Sequence, residues 1–167
     1  MRNQAIASLA IVALLLSACK GPSITVTDPE TGKKSKVSLE GGGGADATLK
    51  ISGEDGTAVI AGAGASLPKD LPGFVAVYPG LKLQSVMSGV SAEGNGGMLI
   101  GATKDSVEQV STFYRALLER EGFSKSRIEM QTEGTVTLGG GRGEEGLFVA
   151  ITPAEGETSL TITYRAE

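Results

Sequence analysis

The clearest signal in this chain is a change of hydrophobic period. Leu81, Leu83 and Met87 alternate with Lys82, Gln84 and Ser88, and Met98 to Thr103 form a second apolar-rich run. Between them, Glu93 to Gly97 reads as a Gly/Asn turn. Alternation of this kind marks a strand with one face buried. Val107, Val110, Phe113, Tyr114, Leu117 and Leu118 then recur at steps of three and four, the period of an amphipathic helix. The spacing predicts a helix over Ser106 to Glu121, with Asp105 and Glu108 as an acidic cap pair and Gly122 as the stop. After it the period returns to two. Ile128 and Met130 sit between Arg127, Glu129 and Gln131, followed by Val136 and Leu138. Leu147, Val149 and Ile151 come next, and then Leu160, Ile162 and Tyr164 alternate with Thr161, Thr163 and Arg165. One face buried and one wet means an antiparallel sheet. The expected fold class is α+β over residues 67–167, in the order β-β-α-β-β-β-β, with the amphipathic helix covering the sheet's apolar face.

Upstream the pattern is weaker. Residues 20–66 are polar, Gly-rich and free of aromatics. They contain short alternating runs at Ile24/Val26, Val37/Leu39 and Leu49/Ile51, and at Val59 with its flanking alanines. Turn clusters separate them at Asp28-Pro29-Glu30-Thr31-Gly32 and Gly53-Glu54-Asp55-Gly56, which predicts two β-hairpins. Gly41 to Gly44 reads as a flexible joint between the two. Hairpins with so little to bury are marginal in water, so they either stack on the later domain or form a loosely ordered spacer, and the expectation for residues 19–66 is a weakly ordered, Gly-rich β-hairpin arm or stalk. Leu67 to Gly80 carries three Pro interruptions and marks the boundary. Within it, Tyr78-Pro79-Gly80-Leu81 suits a type II turn, in which Pro presets φ and Gly supplies φ > 0.

The N-terminus is different again. A basic start (the free amine and Arg2) precedes an apolar run from Ala5 to Leu16 and the small pair Ser17-Ala18. That is the make-up of a secretory signal peptide over residues 1–18, too short to span a bilayer of about 30 Å. Leu16-Ser17-Ala18-Cys19 resembles the lipobox of bacterial lipoproteins. The resemblance implies a diacylglyceryl group on the Cys19 thiol, cleavage before Cys19 and acylation of the new amine. Lys20 at the following position implies outer-membrane sorting, facing the periplasm, in a Gram-negative cell. In a Gram-positive cell the same lipid would sit on the outer face of the plasma membrane. A second resemblance rests on Tyr78-Pro79-Gly80, Thr103-Lys104-Asp105-Ser106, Val110, Phe113-Tyr114, Leu117 and Gly122-Phe123. This pattern is similar to one in small bacterial lipoproteins of unknown function. Its turn and core positions carry fold and address, and no catalytic or binding residue.

Composition narrows the function. The chain has 19 acidic against 15 basic residues, and removing the signal takes away one base, Arg2. That balance disfavours nucleic acid, whose recognition needs clustered Lys and Arg, and a basic helix lying on anionic lipid. Attachment to a membrane must then come from the lipid on Cys19. Cys19 is the only cysteine, and there is no histidine. Cys/His zinc sites and a Ser–His–Asp triad are therefore excluded.

The remaining chemical motifs have bland readings. Gly141-Arg142-Gly143-Glu144-Glu145-Gly146 spells G-x-G-x-x-G, but a strand rather than a helix follows it, so a hairpin loop is expected and not a nucleotide site. The acidic pairs Asp28/Glu30, Glu54/Asp55 and Glu144/Glu145 fall in turns and lack calcium-loop spacing. No serine lies in a nucleophile elbow, and Tyr78, Phe113 and Tyr114 read as core. The expectation is a lipid-anchored envelope module that binds or scaffolds another envelope protein or a cell-wall component, with no cofactor, metal or catalytic residue. The alternative is an envelope hydrolase using carboxylates or a metal, which would require a deep polar pocket with converging acids. The candidate binding surface is the polar strand face of Lys82, Gln84, Arg127, Glu129, Gln131, Thr161, Thr163 and Arg165. Its bland counterpart is a merely solvated sheet face.

Overall fold

A computed structural model describes residues 23–29, 31–41, 47–62, 64–91, 94–123 and 127–167. Cys19, the rest of the expected signal and lipobox, and Gly42 to Gly44 of the expected joint lie outside the described residues. The elements run β1 (Ser23–Thr27), β2 (Lys34–Glu40), β3 (Thr48–Gly53), β4 (Gly56–Ala61), β5 (Lys82–Ser91) and β6 (Gly94–Thr103). Then come α1 (Val107–Arg120), β7 (Ile128–Thr132), β8 (Thr135–Arg142), β9 (Glu145–Ala154) and β10 (Glu157–Ala166). The fold is α+β, as the periodicity predicts: an antiparallel sheet with one helix. The sheet is larger than expected. Its ten strands form one layer in the order β1-β2-β3-β4-β5-β6-β10-β9-β8-β7. The two upstream hairpins join it because β4 pairs with β5 over Gly56↔Ser91 to Ala61↔Val86. After β6 the chain crosses through α1 to the far edge, then meanders back until β10 docks on β6.

Helix α1 begins one residue later than expected. Ser106 is the N-cap, and it forms a capping box with Gln109. The Gln109 amide donates to Ser106 Oγ at 3.3 Å, and the Ser106 amide donates to Gln109 Oε1 at 3.0 Å. Asp105, the expected cap, is engaged elsewhere: its carboxylate accepts from the Tyr78 hydroxyl at 2.8 Å. Gly122 is the stop, with φ +78 and its amide donating to Glu119 O. Arg142 adds a cation there, donating to Glu121 O at 3.0 Å, where the helix C-terminus concentrates negative potential.

The helix lies over β8 and β9. Val110, Tyr114 and Leu118 are fully buried on Leu138, Leu147, Val149, Ile151, Leu160 and Ile162. Each such side chain contributes roughly 1.5–3 kcal/mol by leaving water. The segment read as a boundary also packs here. Phe74 and Val75 belong to the core, Phe74 meets Phe123 edge-on at 5.4 Å, and Tyr78 meets Phe113 at 5.3 Å. Its turn is as expected: Gly80 has φ +83, and the Leu81 amide donates to Tyr78 O at 3.0 Å.

Three details depart from the sequence expectations. Gly94 to Gly97 are strand rather than turn. A side chain at Gly97 would sit 2.6 Å from the Tyr164 hydroxyl, so glycine is what lets that ring lie on the strand. In β5 the register slips between Leu83 and Ser85. A bulge of this kind swaps the two faces beyond it, so Met87, expected on the buried side with Leu83, is 41 % exposed. Finally, Ile128 and Met130 are 44 % and 59 % exposed. Strand β7 is the sheet's last strand, where its partners put Glu129 opposite buried Leu138, on the helix side.

Candidate functional site

Cross-strand partners share a face of a sheet, so the register shows what each face presents. On the helix side of β1–β4 stand Thr25, Lys36, Ser38, Lys50 and Ser52, and Ala61 is the one buried side chain of these strands. Val59 joins them opposite Lys50, and the other large aliphatic residues of these strands point the other way. One unbroken row on the helix-free face reads Leu39, Leu49, Ile60, Met87 and Met98. Through Thr163 that row continues to Phe148, Gly139 and Ile128. Phe148 lies over Gly139, where a Cβ would come within 2.3 Å of the ring. The apolar side of the sheet thus changes between its two halves: towards the helix in β6–β10, away from it in β1–β4.

Beside this apolar ridge the face is nearly bare of side chains. The next row is Ile24, Val37, Ile51, Ala58, Gly89, Gly96 and Arg165, and the row after it is Val26, Ser35, Gly53, Gly56, Ser91 and Gly94, so the bare stretch lies over β4–β6. These two rows floor an open trough of about 610 Å³, with Ile51 at one end and Arg165 at the other. Asn95 also lines it; its Nδ2 donates to Asp70 O at 3.1 Å, while its buried Oδ1 takes no hydrogen bond. Sequence reading missed the trough because glycines at 53, 56, 94 and 96 read as turn residues, and nothing links them to Gly89 until register aligns them.

The polar strand face expected from sequence does not hold together. Lys82, Thr161, Thr163 and Arg165 are on the helix-free side, whereas Glu129 and Gln131 are on the helix side. Gln84 sits at the bulge and Arg127 precedes β7. Glu129 is held by two guanidinium groups: Arg115 Nη2 lies 2.9 Å away, and Arg127 bonds its other oxygen. Those hydrogen bonds, from Arg127 first and Arg115 second, push its carboxyl below the usual range.

The acids in turns are engaged as well. Asp55 accepts from Lys33 at 2.7 Å, which raises the Lys33 ammonium above its ordinary value. Glu145 pairs with Arg142 at 2.6 Å and Glu144 with Arg165 at 3.3 Å. Asp28 accepts from the Thr31 amide at 3.1 Å; Glu30 lies outside the described residues. The G-x-G-x-x-G stretch is the β8–β9 hairpin, with Gly143 at φ +62. Among the described residues no three acids or thiols gather as a metal ion would need. The Tyr78 phenol is raised by its bond to the Asp105 carboxylate, and burial raises Tyr114, whose hydroxyl donates to Ala76 O at 3.3 Å. These tyrosines work in the core.

A family model described as START domain-like matches residues 83–159, which take in most of β5, all of β6, α1 and β7–β9, and the start of β10. The match fits a helix-grip-like arrangement of one helix against an antiparallel sheet. It covers under half of the chain. No curated protein and no solved structure matches. The space between helix and sheet is filled by Tyr114, Leu117, Phe123 and their neighbours, all at most 2 % exposed. The concavity this chain offers is therefore on the opposite face.

Proposed function

We propose that this chain is a cell-envelope lipoprotein, tethered through Cys19, that works by binding or scaffolding and not by catalysis. The observation that carries the reading is the lipobox Leu16-Ser17-Ala18-Cys19 behind a short apolar signal. The geometry supports it in a specific way. Strand β1 begins at Ser23, only four residues beyond Cys19, a reach of at most about 14 Å. An anchor at Cys19 would hold the β1 edge against the bilayer. The START-like half would then stand away from it, carried by strands spaced about 4.8 Å apart. On this reading residues 19–66 are a spacer built as sheet. With Lys20 after the cysteine, a Gram-negative host would place the protein on the outer membrane, facing the periplasm.

Binding is favoured over hydrolysis by what lines the trough. Its one acid, Asp55, is engaged by Lys33, and five of its fourteen lining residues are glycine. The START domain-like match adds slight support for a ligand-binding role. Cys19→Ser should leave an uncut precursor and remove lipid-dependent membrane fractionation. A variant that is still processed and still sediments with membranes after a high-salt wash would overturn the anchor. Turnover of a peptidoglycan, peptide or ester substrate by the purified protein would overturn the non-enzymatic role.

A further inference from the structure

We infer that the helix-free face of β1–β6 is a homodimer interface, in which, over β4–β6, the apolar ridge of one copy lies in the bare trough of the other. An antiparallel sheet leaves one face wet, and in β1–β4 the wet face is the helix side, which carries exposed Lys34, Lys36, Lys50 and Glu40. The aliphatic face is the one that needs a cover, and among the described residues these strands touch only their sheet neighbours. Ile24, Val26 and Met87 are 58 %, 49 % and 41 % exposed on it.

Shape selects a second copy as that cover. Ridge and trough are adjacent rows, as Met87 is to Gly89 and Met98 to Gly96, so they lie about 6.7 Å apart. A two-fold axis in the interface plane, running between the rows and parallel to them, sets Ile60, Met87 and Met98 over Ala58, Gly89 and Gly96 of the other copy, and in β2 and β3 sets Leu39 and Leu49 over Val37 and Ile51, apolar on apolar. That is the self-complementarity an isologous dimer requires. Charge agrees: across β1–β6 both rows are free of ionisable side chains, and Arg165 first appears on β10. Thr163 is the ridge position of β10, so the same axis places Arg165 opposite a threonine and never opposite its own copy. Six strands about 4.8 Å apart and about 20 Å long cover roughly 600 Å² a side, or about 1,200 Å² in all. This is the lower end of specific interfaces, so the dimer should depend on concentration. Methionines at the ridge centre can adjust to the opposing surface.

The test uses the full chain in its own cell, in two differently tagged copies, with a photo-reactive residue at position 87 or 90. Both are exposed; Met87 is on the helix-free face, whereas Val90, although it borders the trough, shares the helix side with Thr57. The probe at 87 should give a band at about twice the mass of the processed, tagged chain and the probe at 90 should not. Met87→Glu should lower co-isolation of the second tag about tenfold or more, because it buries an unpaired charge. Gly89→Leu, which fills the trough where a Cβ meets only ordinary contacts, should do the same. Val90→Glu should change it less than about twofold, and unaltered far-UV circular dichroism of each variant shows the fold intact. Equal crosslinking from both positions, or equal loss in Met87→Glu and Val90→Glu, overturns the interface. Crosslinks from position 87 only to lipid or to a different protein overturn the choice of a second copy.

Discussion

Gly56 decides whether the ten strands behave as one sheet. It opens β4 at the junction with β5, pairs with Ser91, and has φ +145, a conformation L side chains rarely adopt. A Cβ there would stand 2.1 Å from Val90 O and 3.0 Å from Ser91 Cα, both backbone atoms that cannot swing aside. Forcing alanine into such a conformation costs about 1–3 kcal/mol, and relieving the overlap costs a further 1–3 kcal/mol or so. Against this, β1–β4 bury only Ala61, and free-standing hairpins are marginal. A penalty of about 2–5 kcal/mol should therefore open β1–β4 locally while the core, all of whose members lie at residue 74 or beyond, stays closed. Hydrogen exchange read peptide by peptide is the assay. In Gly56→Ala, amides of β3 and β4 should lose protection by at least about tenfold, while those of β9 and β10 keep theirs. Gly32→Ala is the control, a positive-φ glycine with nothing within 4 Å of a Cβ. Unchanged protection in β3 and β4, or equal loss across β9 and β10, would refute the division into a firmly packed half and a lightly held one.

Two further outcomes follow from the packing and the charges. Leu118, fully buried, should cost about 2–5 kcal/mol as alanine. Phe113 is only half-buried between two edge-on tyrosines, so Phe113→Ala should cost less, and a denaturant series giving Phe113 the larger loss would contradict the helix face. Glu129 ionises more readily folded than unfolded. Its stabilisation is therefore present above the unfolded value near 4.3 and is lost as pH falls through the lower folded value. The drop in denaturation midpoint below about pH 4.3 should be shallower in Glu129→Gln than in the parent, and identical acid limbs would show that the Arg115 and Arg127 contacts contribute nothing.

Local rules made much of this protein legible from its residues alone. Steps of three and four placed α1 to within a residue at each end, Gly122 stopped it, and Pro79-Gly80 formed the expected turn. Each depends on neighbours a few positions away, which is the range over which side-chain spacing and φ preferences act. The absence of histidine and the lipobox-like run Leu16-Ser17-Ala18-Cys19 are likewise properties of the chain itself. Which face each strand turns to the core was not legible, because alternation is unchanged when a strand is flipped over. Only pairing decides it: the slip after Leu83 turned Met87 outward, and β8 turned Glu129 towards the helix. Pairing also carried β4 onto β5 and inserted β10 beside β6, contacts too distant in sequence for spacing to record. The trough is the extreme case. Gly53, Gly56, Gly89, Gly94 and Gly96 are scattered along the chain, four of them in apparent turns, and they come together beside an apolar ridge only when four strands are hydrogen-bonded in register.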